Sequence, residues 1–134
     1  MNDQAIAIIG MSCRLPAAQD PRQLWRNLVQ GKVCSTRYDA AQLRRLGLSA
    51  AVIDDPAFVP VDARLADAAQ FDPECFAMTQ REAELLDPQH RLLLECAWEL
   101  LQTAGLGNPL RRPRIGLFAG CSMNTYQLNV IGGE

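Results

Sequence analysis

Two short apolar runs bracket the chain: AIAIIG at 5–10 and RIGLFAG at 114–120, each ending at a glycine. Neither alternates apolar with polar positions. That is the pattern of a strand covered on both faces, as in a parallel sheet with helices above and below. Both runs are therefore predicted to be buried strands, 5–10 and 114–120.

Three helices are predicted between them, and each has a start signal. Asp20-Pro21 supplies a cap and an N1 proline for a helix over 21–31, with Leu24, Trp25, Leu28 and Val29 on one face and Gly31 closing the last turn. Thr79 with Glu82 three residues on forms a capping box for a short helix over 79–86. Asp87-Pro88 opens the longest helix, 88–104, whose buried stripe is predicted at Leu93, Ala97, Leu100, Leu101 and Ala104, with Gly105 as the stop.

Residues 32–70 carry weaker signals. DAAQLRRLGL suits a helix of two turns, whereas DDPAFVPVDARLADAAQ holds two prolines and scattered acids and is expected to be mostly irregular. The outline is strand, helices, strand, with a connection far longer than one crossover helix needs. Two parallel strands covered by three helices do not make a finished sheet, because stable sheets need more strands. The expected architecture is α/β, with partner strands missing from this chain.

Composition narrows the function classes. The chain has 134 residues, is 49% hydrophobic and carries 13 basic against 15 acidic groups, so disorder is not expected for most of it. Counted by segment, 1–50 is net +4, 51–100 net −8 and 101–134 net +2. With no basic excess, nucleic-acid binding through phosphate neutralisation is not expected. LLLECAWELL is interrupted by Glu95 and Glu99, too early for a membrane span, and MNDQAIAIIGM has an acid where a secretory signal would be basic. A cytoplasmic location without membrane partners is expected. Five cysteines, at 13, 34, 75, 96 and 121, include no C-x-x-C pair and point to reduced thiols; one histidine disfavours zinc.

Open α/β sheets place ligands at the carboxyl ends of their strands, and Cys13 and Cys121 both follow such ends. A thiol is a nucleophile only beside a helix N-terminus or an imidazole, so a packed thiol is the simpler reading of each. His90, between Gln89 and Arg91, reads as a surface histidine in a first helical turn. Arg111, Arg112 and Arg114 read as a solvated basic loop, since no glycine-rich cradle accompanies them. Gly105-Leu106-Gly107 ends a helix instead of opening one, so it is not a dinucleotide fingerprint. The carboxylates of 54–87 fit a solvated acidic face better than a metal or glycosidase site. From the residues alone this is a piece of an α/β protein of unknown function.

Several strings together resemble the opening of a β-ketoacyl synthase domain of the modular polyketide synthase type, in the thiolase-like superfamily. They are IAIIGMSCRLP at 6–16, PRQLWRNLVQGK at 21–32, FDPECFAMTQREAELLDPQHRLLLECAWELLQTAG at 71–105 and RIGLFAGCSMNTY at 114–126. Two stretches depart from the family pattern. Val61-Asp62-Ala63-Arg64-Leu65 stands where relatives usually carry a Gly-Gly-Phe-Leu turn, and Cys75-Phe76-Ala77-Met78-Thr79-Gln80 replaces the more usual Phe-Phe-Gly-Ile-Ser-Pro.

The resemblance implies a partial thiolase-like fold, with parallel buried strands and covering helices, incomplete in this chain. It also implies decarboxylative Claisen condensation, run by one cysteine and two histidines. One histidine cannot supply that set. The family's nucleophile lies in a Thr-Ala-Cys-Ser-Ser type elbow beyond the matched strings. Cys13, His90 and Cys121-Ser122 match other positions, so no catalytic, cofactor-binding or metal residue is carried over. Implied partners are an acyl carrier protein presenting substrates on phosphopantetheine, the remainder of the ketosynthase domain, and a second subunit in a homodimer. No directly bound cofactor is expected. The alternatives are a truncated, non-catalytic ketosynthase-like module that docks onto a full-length synthase, and a small helical adaptor, which the buried-strand pattern opposes.

Overall fold

The computed structural model describes residues 5–108, 110, 114–123 and 126–130. The chain divides into two units, Leu15–Ala66 and the combination of Met1–Arg14 with Asp67–Glu134.

The Leu15–Ala66 unit begins with a tight turn in which Leu15 and Ala18 exchange backbone hydrogen bonds of 2.9 Å each. Helix α1 (Pro21–Val29) follows. Its start is set by Asp20, whose extended backbone leaves Oδ1 free to accept from the Gln23 amide at 2.8 Å. Its end is a Schellman closure. Gly31, at φ 61°, donates to the Leu28 carbonyl, and Lys32 donates to that of Asn27.

Strand β1 (Thr36–Arg37) pairs antiparallel with β2 (Val61–Asp62), in the register Thr36 to Asp62 and Arg37 to Val61. Between them lie α2 (Ala40–Arg45), opened by a capping box of Asp39 and Gln42, and the single turn α3 (Ala50–Ile53), capped by Ser49. The stretch 32–70 is thus more ordered than its sequence suggests. Two-residue strands are too short to impose a readable hydrophobic period, and Pro60 joins the pairing only through its carbonyl, which accepts from the Tyr38 amide at 2.9 Å. Leu43, on α2, is the unit's buried large side chain.

The second unit is carried by one turn of 3-10 helix (Glu74–Phe76), α4 (Gln80–Leu85), α5 (Pro88–Thr103) and α6 (Tyr126–Val130). Phe71 and Phe76 stack at 5.1 Å between ring centroids. Ala77 then takes a left-handed conformation, φ 53° and ψ 37°, which costs a residue with a Cβ about 1 kcal/mol. This is the position where the Phe-Phe-Gly-Ile-Ser-Pro pattern has glycine. Thr79 and Glu82 close a reciprocal capping box on α4, and the Asp87 side chain accepts from the Gln89 amide at 2.7 Å to start α5. The far end of α5 closes at Gly105, φ 72°, again in a Schellman pair.

In this chain runs 5–10 and 114–120, expected as buried strands, are neither paired nor covered. Among the described residues neither has a ladder partner, and their side chains face solvent: Ile6 is 95% exposed, Ile8 83%, Leu117 74% and Phe118 fully. A strand needs a neighbour for its backbone groups and cover for both faces, and the described residues supply neither. The predicted stripe of α5 is also incompletely covered. Leu93 is exposed, and Ala97, Leu100, Leu101 and Ala104 are half-buried. Part of their cover is the end of the first run. A Cβ placed on Gly10 would come within 2.8 Å of Leu100 Cδ1 and 3.5 Å of Ala104 Cβ.

Candidate functional site

Two polar clusters organise the unit that carries α4, α5 and α6, and both use side chains of α5. In the first, the turn after run 5–10 is clamped to the middle of α5. Arg14 donates from Nη2 to Glu99 Oε1 at 2.5 Å and from Nη1 to Oε2 at 2.9 Å, a bidentate fork, while Ser12 Oγ donates to the same Oε2 at 2.9 Å. Arg14 also returns a bond to the Cys13 carbonyl at 3.2 Å. The arrangement sets the electrostatics. The Arg14 guanidinium, aided by Ser12, holds the Glu99 carboxyl below the usual carboxylate range, and Glu99 raises Arg14 in return. Glu95, one turn earlier on the helix, is pushed up by burial, and Glu99 adds to the rise.

The second cluster sits at the corner between α4 and α5, where the last carbonyls of α4 lack helical partners. Arg91 is buried and aims its guanidinium at them: Nε donates to the Leu86 carbonyl at 2.9 Å and Nη2 to that of Glu84 at 3.4 Å. Tyr126 of α6 joins from the far end of the chain. Its hydroxyl donates to the Glu84 carbonyl at 2.6 Å and accepts from Arg91 Nη2 at 3.0 Å, and its ring lies 5.6 Å from the guanidinium carbon. Nearby, Gln89 Oε1 accepts from the Ser122 amide at 3.0 Å.

The structure scatters the candidates singled out from sequence. Cys13 is half-buried within the Arg14 turn and Cys121 is exposed; none of the five cysteines is in a disulfide. His90 is half-buried in the first turn of α5, and among the described residues its side chain makes no hydrogen bond or ion pair. Arg114 is exposed, while Arg111 and Arg112 lie outside the described residues. No group of three His, Cys, Asp or Glu side chains among the described residues could hold a metal. Several carboxylates of 54–87 are consumed by local backbone: Asp55 accepts from Ala57, Asp72 from Glu74 and Cys75, Glu82 from Thr79, and Asp87 from Gln89. A cleft of about 320 Å³ opens in the Leu15–Ala66 unit between Tyr38, Leu43, Phe58, Val59 and Arg64, and it gathers no nucleophile and base.

Sequence reasoning did not find Arg14, Glu99, Arg91 or Tyr126. Charges set within apolar stretches were the available signal, Glu99 inside LLLECAWELL and Arg91 just before it. Their partners lie 85 and 35 residues away, which no local pattern encodes.

Along most of its length the chain is similar to known proteins. Residues 3–132 match the family described as Beta-ketoacyl synthase, N-terminal domain. The chain is 41% identical, over 90% of its length, to a Mycocerosic acid synthase-like polyketide synthase of Mycolicibacterium smegmatis, and 39% identical, over 98%, to Erythronolide synthase EryA2 of Saccharopolyspora erythraea. It spans only 6% and 4% of those two proteins. Among solved structures, ketosynthase twelve of the bacillaene polyketide synthase of Bacillus amyloliquefaciens superposes with a TM-score of 0.66 at 35% identity, covering 72% of this chain and 17% of that one. The ketosynthase from module 1 of the bacillaene synthase of the same species gives 0.60 at 36%, covering 72% and 16%. No described helix is long and apolar enough to cross a membrane.

Proposed function

The chain belongs to the β-ketoacyl synthase family and is built on part of its thiolase-like fold, and we propose that it serves as the N-terminal portion of a polyketide ketosynthase domain whose catalytic cysteine and histidines lie outside it. The observation that carries this reading is the match over residues 3–132 in a chain with a single histidine. In the complete site the cysteine thiolate attacks the acyl thioester of a carrier, and the carrier's thiol departs as the acyl group becomes a thioester on the cysteine. A malonyl-type extender then loses carbon dioxide, the resulting carbanion attacks the thioester carbonyl, and the cysteine thiolate departs as the new carbon–carbon bond is set. Oxyanion charge in both steps needs donors that are already in place.

Within that scheme this chain binds no cofactor and supplies structure: the strand-forming runs 5–10 and 114–120, and helices to cover them. Substrates arrive on the phosphopantetheine arm of an acyl carrier protein, the assembled synthase is a homodimer, and it works in the cytoplasm. The +4 balance of residues 1–50 supports an encounter with an acidic carrier surface, an effect that shows in association rate and salt dependence.

The test is the coding sequence that follows Glu134. The proposal expects an open frame leading into a cysteine elbow and two histidine motifs, and expects the encoded protein, but not residues 1–134 alone, to condense malonyl carrier with an acyl thioester. A stop codon directly after Glu134 would instead favour a non-catalytic module docking onto a synthase.

A further inference from the structure

Residues 114–123 are exposed at every position. Burial therefore does not decide where this segment lies. Among the described residues, what ties it to the rest of its unit is the hydrogen bond from the Ser122 amide to Gln89 Oε1, followed a few residues on by the Tyr126 hydroxyl between Arg91 and the Glu84 carbonyl. Both attachments end on one helical turn, residues 89–91 of α5. That turn is itself fixed by the Asp87 cap and by Arg91 bonding to the Leu86 carbonyl. A buried guanidinium that satisfies orphan carbonyls and stacks on a distant ring has one low-energy arrangement, so it defines a position.

We propose that Gln89, Arg91 and Tyr126 form a two-point latch that positions the 114–123 segment. Through it, the carboxyl end of the 114–120 run and its following loop are held over the first turn of α5 before any neighbouring strand is present. Gln89 and Arg91 are positioning residues in this scheme and touch no substrate. The inference deepens the ketosynthase reading, in which run 114–120 is a sheet strand and the loop at its carboxyl end borders the ligand crevice of the layered fold. Pre-placing that run lowers the entropy cost of adding it to a sheet.

Amide hydrogen exchange, read by NMR on the 134-residue chain, tests the latch without any catalytic assay, so it stands or falls separately from the ketosynthase reading. Gln89→Ala is expected to speed exchange of the Ser122 amide roughly tenfold, the loss of one hydrogen bond, and to shift its proton resonance. Gln89→Glu keeps an acceptor oxygen at the same place and is expected to restore both. Tyr126→Phe, which keeps the ring on Arg91, is expected to loosen 126–130 and, more weakly, 114–123, while amides in the middle of α5 and in α1 stay as they were. Arg91→Met is the harsher variant and should release the Tyr126 attachment while leaving the Ser122 bond to Gln89. If Gln89→Ala and Tyr126→Phe leave 114–123 unchanged, or if the two variants loosen α5 as much as 114–123, the latch does not exist.

Discussion

The Arg14–Glu99 fork predicts a measurable gate on one thiol. Arg14→Met removes both guanidinium bonds to Glu99 and leaves the carboxylate with Ser12 alone. The side chains are 18% and 39% exposed, so water screens the pair and the lower range of ion-pair energies applies. Bidentate geometry lifts the value within that range, to about 1 kcal/mol. An energy of that size corresponds to an opening of the 11–14 turn about fivefold more frequent. Cys13 sits in that turn and is half-buried, while Cys121 is exposed and serves as an internal control. Labelling with a pyridyl disulfide, followed by mass spectrometry of each cysteine, should show Cys13 reacting about fivefold faster relative to Cys121 in Arg14→Met. Glu99→Gln should do the same, and the double variant should be no faster than either single, since both remove one interaction.

The pH dependence has a fixed sign. Because Arg14 depresses Glu99 in the folded chain, the fork contributes fully above the ordinary carboxylate value of 4.5 and is lost as pH falls through the depressed one. Acid should therefore bring the wild-type Cys13 ratio up to that of the variants, with Glu99→Gln flat over the same range. Unchanged labelling in both single variants, or effects that multiply in the double, would mean that the fork does not shield Cys13.

Three further outcomes are expected. Asp20→Ala removes the bond to the Gln23 amide from a helix with no fully buried side chain to compensate, so α1 amides should exchange about fivefold faster, matching the loss of about 1 kcal/mol. Ala77→Gly relieves the left-handed backbone at φ 53° and should slow exchange of the Met78 and Ala77 amides, which bond to the Pro73 and Glu74 carbonyls, whereas Ala77→Val should accelerate it. The exposed Ile6, Ile8, Leu117 and Phe118 should make the 134-residue chain bind a hydrophobic dye and melt with low cooperativity, and Phe118→Lys should weaken dye fluorescence.

Local grammar made the helices readable. Asp20-Pro21, Thr79 with Glu82, and Asp87-Pro88 each mark a helix start, and the corresponding cap hydrogen bonds are present in the structure, as are the closures at Gly31 and Gly105. The boundaries differ by a residue or two, as at 21–31 against Pro21–Val29. The burial of runs 5–10 and 114–120 was not readable from this chain. Their composition suits a covered strand, and composition reports the surroundings a segment suits without supplying them. The same holds for Leu93, an apolar position on α5 left in water. The two polar clusters escaped for a different reason. Arg14 meets Glu99, and Arg91 meets Tyr126, only after the chain has turned back on itself.

In the longer ketosynthase domain proposed above, runs 5–10 and 114–120 are expected to become strands of one sheet. A crystal structure of the full-length product of the same reading frame tests it most directly. Both runs should then be hydrogen-bonded within one sheet, with Ile8 and Phe118 buried under helices. Finding them still unpaired and solvent-facing in that longer protein would contradict it.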